Sequence, residues 1–546
     1  MASKFVFRQN DVIGAAAAED DDRFLYDCFI DTGFLNLIRD TNDPRTVLEG
    51  RTGSGKSALL AYLHKVEDHV IQINPESLSL SFISNSGIIN FFSSLGVKLD
   101  IFYRMLWRHV FCIEIIREKF GVSDKASRNR FLSYIWDKIP RKPKHEKALA
   151  YLQQWGDSFW EETSRRILET KTIFERDLQT SLQGSVPEII TVNAATASRL
   201  TEEQKAEIVS RGNDVVSKIQ IKELTDVMDL IEEILKENSQ QKFYISIDKL
   251  DEDWIEDKIR FRLIRALVVT SREFSKISNV KVIVAMRRDL LDRGYRFTRD
   301  TGFQTEKHDS RTLNIQWSSG ELIQLLNKRI NFLIKEQYTN TNVSYTDILP
   351  SKINKQKTID FIVERTLMRP RDIIEFINIC IRNSPNNPSI ASNTLLKSEG
   401  IYSRSRLGAV ADEWTILYPN LIYLTSLLKN RNETFLVSEI SLEDLESSYI
   451  SLIISDKGQL GVDFDFMNKV SEKKMSLEEY RVEIVMIMYK VGILGIKLPG
   501  FSTNWSFLDE GGFVISDSEI TKDTRLFIQK TFWRVLGVGK DPSLPT

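Results

Sequence analysis

Apolar residues along this chain fall into two rhythms. Short, nearly unbroken runs at residues 46–48, 69–73, 242–248, 280–285 and 312–316 have the length and branched side chains of buried strands. Around and between them the apolar positions recur every three or four residues, which predicts helices over 56–66, 257–277 and 319–336. Strands separated by helices predict an α/β core built on a parallel, doubly wound sheet. The interval 76–240 carries helical periodicity almost throughout, over 102–120, 128–136, 146–182 and 201–237. A Ser/Thr/Asn/Ala-rich linker is expected near 191–198, and the interval reads as a large helical insertion.

The flanks read differently. Residues 1–18 look like a flexible lead-in, and residues 19–39 read as a helix with Phe24, Leu25, Cys28, Phe29, Leu35, Leu37 and Ile38 on its apolar face. Residues 340–400 read as helical. Near the C-terminus, Ser476-Leu477-Glu478-Glu479 is a capping box that opens a helix reaching residue 491. A strand at 494–498, a turn at Pro499-Gly500, strands at 505–508 and 513–515 and a last helix over 524–536 follow, the order of a winged-helix module. The expected organisation is therefore 1–75 and 241–335 as two parts of one core, 76–240 as the insertion, 336–407 as a helical lid and 408–546 as a winged-helix-like domain.

Composition narrows the classes. The chain has 546 residues, 42% hydrophobic and 27% charged, with a net charge of -2, which argues against a protein that coats nucleic acid and leaves room for local basic patches. Cys28, Cys112 and Cys380 lie far apart with no metal-ligand spacing, and the five histidines form no HxxxH pair. No stretch of about 18 uninterrupted apolar residues predicts a membrane span. With no leader pattern at its start, the chain is expected to be cytoplasmic.

Gly50-Arg51-Thr52-Gly53-Ser54-Gly55-Lys56-Ser57 fits the phosphate-binding pattern G-x-x-x-x-G-K-[ST], placed between a strand and a helix. Its glycines let backbone N–H groups converge on phosphate oxygens, Lys56 is placed to neutralise the β- and γ-phosphates, and the Ser57 hydroxyl to ligate Mg²⁺. The run 242–248 ends in Asp248, a second candidate ligand for Mg²⁺, with Asp251 and Glu252 as candidates to activate water. Arg287 follows the strand at 280–285, where it could sense a γ-phosphate or make a structural ion pair. In Arg369-Pro370-Arg371-Asp372, proline suits a first helical turn, and Arg371 could reach a nucleotide or cap the helix. Arg293, Arg296, Arg299 and Arg311 could supply an arginine finger or form a solvated face. Residues 125–147 interleave basic side chains with Phe131, Tyr134 and Trp136, which suits nucleic acid or the charged face of an amphipathic helix.

GRTGSGKS at 50–57, ISIDKLDEDW at 245–254, VKVIVAMRRDLL at 280–291, IQWSSGELIQLLNKRI at 315–330, MRPRDIIEFIN at 368–378 and YKVGILGIK at 489–497 resemble the bacterial P-loop ATPases of the STAND and origin-recognition-like AAA+ branch. A group from phage-defence neighbourhoods is among them. The resemblance implies an ATP- and Mg²⁺-dependent switch, closed by a helical lid and working as a homo-oligomer that licenses a partner effector. It also implies Arg287 as the first sensor and Arg371 as the second. Lys249 departs from the Asp-Glu pair usual in AAA+ enzymes. Use of the basic insertion and winged helix as a DNA-engaging motor or loader is the alternative.

Overall fold

The computed structural model describes residues 5–76, 87–122, 125–138, 145–146, 148, 172, 176, 180, 201–218, 222–238, 240–252, 257–287, 290, 310–337, 342–454, 462–508 and 515–539. Outside them lie the expected linker at 191–198, nearly all of the helix expected at 146–182, the arginines 293, 296 and 299, and residues 513–514 of an expected strand. The chain divides into two compact units. An α/β unit comprises Gly33–Arg51 and Lys56–Ile315; a second unit comprises Met1–Thr32, Thr52–Gly55 and Gln316–Thr546.

In the α/β unit, strands β1 (Val47–Glu49), β2 (Val70–Ile73), β3 (Phe243–Ile247), β4 (Val280–Met286) and β5 (Thr312–Asn314) form one sheet in the order β2-β3-β4-β1-β5. All four pairings are parallel. Every residue of β3 and β4 is buried, so neither strand alternates, as a parallel sheet covered on both faces requires. Helices α1 (Lys56–Val66), α2 (Asp100–Phe120) and α3 (Asp257–Phe274) belong to this unit. The α2 and α3 side chains share its core, where the Trp107 indole donates to the Leu263 carbonyl at 2.9 Å.

The second unit contains helix α4 (Ser319–Gln337), a two-residue ribbon of β6 (Lys352–Ile353) and β7 (Gln356–Lys357), and helices α5 (Pro370–Arg382) and α6 (Ser392–Trp414). Beyond them β8 (Thr434–Leu436), β9 (Leu494–Lys497) and β10 (Arg525–Ile528) form an antiparallel sheet in the order β8-β10-β9. The helices Leu442–Ile454, Val462–Ser471 and α7 (Leu477–Lys490) lie between β8 and β9.

Four expectations are corrected. Residues 19–39 do not form one helix: the helices are Asp22–Leu25 and Phe34–Arg39, with Gly33 at φ +87° before the second. Their apolar residues serve different units, since Phe24 and Cys28 join the core of the second while the division falls at Thr32. The lead-in is packed from residue 5 onward: Phe5, Phe7 and Ile13 are buried with residues of α4, α5 and α6. At 505–508 there is no strand; pairing stops at an Asn504–Ile496 bridge, and Trp505 folds over Gly495, where a Cβ would come within 2.8 Å of the indole. The last helix is broken: Arg525–Ile528 is strand β10, which pairs on both sides, and only a 3-10 turn at Lys530–Phe532 and a single turn at Trp533–Leu536 are helical. Cys28, Cys112 and Cys380 are free and buried. Among the described residues no helix is long and apolar enough to cross a membrane.

Candidate functional site

In the α/β unit β4 lies between β1 and β3. The chain leaving β1 at Gly50, Arg287 after β4 and Asp248 after β3 therefore stand in that order along one edge of the sheet. This is the carboxyl edge, where parallel sheets gather ligand-binding groups. The Gly50 N–H donates to the Met286 carbonyl at 3.3 Å. Lys56 opens α1 and turns its ammonium back onto the carbonyls of Gly50 (2.9 Å) and Arg51 (3.1 Å). Ser57 is half-buried in the same turn.

Between them the loop needs glycine. Gly53 and Gly55 have φ of +78° and +97°, the left-handed region that residues with a Cβ seldom adopt. At Gly53 a Cβ would also fall 2.8 Å from that of Arg371. The N–H groups of Gly53, Ser54 and Gly55 meet no acceptor among the described residues. The hydroxyl oxygens of Thr52 and Ser54 are buried and likewise without a partner. Adjacent backbone donors and unsatisfied hydroxyls form a concavity of the kind that binds anions.

The acidic end of β3 is tightly turned. Lys249 has φ +61°, and its N–H donates to Asp248 Oδ1 at 2.9 Å. Such a backbone costs a residue other than glycine about 1 kcal/mol or more, which the surrounding fold must supply. Arg287 Nη1 lies 3.5 Å from Asp251 Oδ2, so the structural ion pair weighed from the sequence is made. Lys249 Nζ lies 3.8 Å from Glu252 Oε1. Burial, then the charges of Asp251 and Asp248, hold the Glu252 carboxyl above its usual pKa despite Lys249.

Residues 52–55 pack with the second unit. The Thr52 carbonyl accepts from Arg369 Nη1 at 2.9 Å, that of Gly53 from the Arg371 N–H at 3.5 Å, and that of Ser54 from the Trp317 indole at 2.8 Å. The Thr52 N–H reaches Glu413 Oε1 at 3.3 Å, and Glu413 pairs with Arg369 at 3.1 Å. Arg369 also holds Asp372 at 3.0 Å, which in turn holds Arg406 at 3.2 Å. Burial works against the charge of Arg369, but Asp372 and Glu413 outweigh it and keep its pKa above the ordinary value. Arg371 is placed differently. Its Nε donates to the Ala16 carbonyl at 2.9 Å, and among the described residues no carboxylate pairs with it. Burial, then Arg369 and Arg406, push its pKa down, which leaves a guanidinium with surplus positive charge.

Trp317, Arg369 and Glu413 carry no sequence sign of this role. Their partners lie 263, 317 and 361 positions away, although Trp317 and Arg369 fall within the quoted IQWSSG and MRPRD stretches. In the basic stretch, Phe131 is buried against Phe120, and half-buried Tyr134 lies tilted against Phe120 with its hydroxyl donating to Glu237. Arg311 offers its carbonyl to the N–H groups of Thr46 and Val47.

Residues 320–411 match the family described as the FunZ-associated C-terminal helical domain, a span that holds Arg369 and Arg371. Over 550 aligned positions the chain is 22% identical to the transposon gamma-delta 80.3 kDa protein of Escherichia coli strain K12, an alignment covering 97% of this chain and 68% of that protein. No solved structure matches.

Proposed function

We propose that this protein binds and hydrolyses ATP with Mg²⁺ and acts as an oligomeric regulatory switch that licenses a partner effector in bacterial anti-phage defence. The glycine loop carries the reading: two glycines at positive φ, three N–H groups without acceptors among the described residues and the Lys56 ammonium suit a triphosphate. Lys56 would exchange its two loop carbonyls for phosphate oxygens. Ser57 and Asp248 would hold Mg²⁺, which supplies charge neutralisation at the phosphates. Asp251, paired with Arg287, and Glu252, paired with Lys249 and held above its usual pKa by burial, are the two candidates to orient and deprotonate water. The defence role rests on the motif resemblance.

The test is direct. Wild-type protein should bind Mg²⁺-ATP in calorimetry and release phosphate, and Lys56→Ala should lower affinity by at least about tenfold through loss of a charge-assisted contact. Mass photometry should show the assembly state changing with ATP and not with Lys56→Ala. A wild type that neither binds ATP nor changes assembly would sink the reading.

A DNA-engaging motor is the second reading, favoured by the transposon named in the description of the E. coli relative. The winged-helix-like order of the C-terminal domain would support it. Against it, residues 408–546 hold 20 acidic and 14 basic side chains. Helix α7, just before β9, is buried all round over 484–489 and begins with exposed Glu478 and Glu479. Salt-sensitive DNA binding that stimulates hydrolysis would bring this reading to the front.

A further inference from the structure

Successive carbonyls of Thr52, Gly53 and Ser54 each accept a hydrogen bond within the second unit, from Arg369, Arg371 and Trp317. In a trans peptide the N–H points opposite to the C=O of the same plane. The three planes therefore present the N–H groups of Gly53, Ser54 and Gly55 on the other side, and these are the groups without acceptors among the described residues. A donor on a carbonyl polarises the whole peptide and strengthens its N–H as a donor. It also opposes rotation of the plane, to which glycine is otherwise permissive.

We infer that Trp317 is a positioning residue for the glycine loop: by holding the Ser54 carbonyl it fixes and polarises the Gly55 N–H, so that the affinity for a triphosphate is set in part from α4 to α6. The inference rests on the ATP reading. Its geometry is specific, because the indole donates at 2.8 Å while its ring lies against Gly55, where a Cβ would stand 3.7 Å from Trp317 Cζ2. Arg369 holds the neighbouring carbonyl from a buried ion-pair network, so its replacement would disturb folding. Trp317→Phe keeps the aromatic packing and removes only the donor.

The experiment uses the full chain and two probes, Mg²⁺-ATP and inorganic tripolyphosphate, by calorimetry. Trp317→Phe should weaken both by about two- to tenfold, the worth of one net hydrogen bond. Trp414→Phe is the control, because the Trp414 indole nitrogen is buried without a hydrogen-bond partner among the described residues, and it should leave both affinities unchanged. In wild-type protein labelled with 5-fluorotryptophan, the ¹⁹F resonance that Trp317→Phe removes should move when tripolyphosphate is added. Should Trp317→Phe fold poorly, Trp317→Tyr supplies the same assignment. Equal affinities for wild type and Trp317→Phe, or a resonance that stays still while tripolyphosphate binds, would overturn the inference and leave the ATP reading intact. A wild type that binds neither probe would overturn both.

Discussion

Lys281 sits in the middle of β4 with no exposed side-chain surface, an ammonium in a strand otherwise made of apolar residues. It donates to the Asp43 carbonyl at 2.7 Å and lies 3.8 Å from the Asp43 carboxylate, which Arg45 already holds. Burial lowers its pKa from 10.5 to about 8, with Asp43 opposing the fall. Between those values the unfolded chain carries a proton that the folded chain lacks. Stability should therefore rise with pH through that window, and below pH 8 the charged group works against folding. Lys281→Met should melt no lower than wild type at pH 7 and should lose this rise. A wild-type melting curve that is flat between pH 8 and 10, or a Lys281→Met protein several degrees less stable at pH 7, would contradict the account.

At the scale of elements, the capping box read from sequence is present. Ser476 Oγ accepts from the Glu479 N–H at 3.2 Å, and the Ser476 N–H donates to Glu479 Oε2 at 2.8 Å. Ser476→Ala should cost about 1 kcal/mol in chemical denaturation, with the fold retained; a change below about 0.3 kcal/mol would mean that burial alone holds α7. Local chemistry of this kind is legible because both partners lie within one turn. β10 was not legible for the opposite reason. Leu526, Phe527, Phe532, Val535 and Leu536 satisfy a helical period as well as a strand does. Pairing with β8 on one side and β9 on the other decides the matter, and neither neighbour is near in sequence. The α/β core was legible because β3 and β4 are long, nearly unbroken apolar runs and the shorter strands are each centred on apolar residues. In the candidate site the glycine loop, Asp248 and Arg287 could be read from pattern, whereas Trp317 and Glu413 depend on contacts several hundred residues long.

Across the whole molecule, residues 5–24 belong with a region that begins some 300 positions later. Asp21 and Arg329 form a buried pair at 2.5 Å, and Arg329 also donates to the Ile13 carbonyl at 3.0 Å. Asn378 exchanges hydrogen bonds with the Ile13 N–H and the Gly14 carbonyl, both at 2.8 Å. Asp21→Asn would leave Arg329 buried without a counter-charge and should lower stability by about 3–5 kcal/mol. Denaturation showing less than about 1 kcal/mol would mean that the lead-in contributes little to the fold.

The docking of that lead-in has a consequence for synthesis. A ribosome adds about 5–20 residues per second, so about 18–73 seconds pass between the appearance of Ile13 and that of Asn378, 365 positions later. Before residue 317 is made, Phe5, Phe7 and Ile13 have none of their partners in α4 to α6, and the loop carbonyls of Thr52 and Ser54 have neither of their donors. Nascent chains arrested near residue 300 should therefore be cut by protease within residues 5–21, where the finished protein resists. A newborn chain would gain the contacts that hold its glycine loop only after about two thirds of its length, through Arg369, has been made.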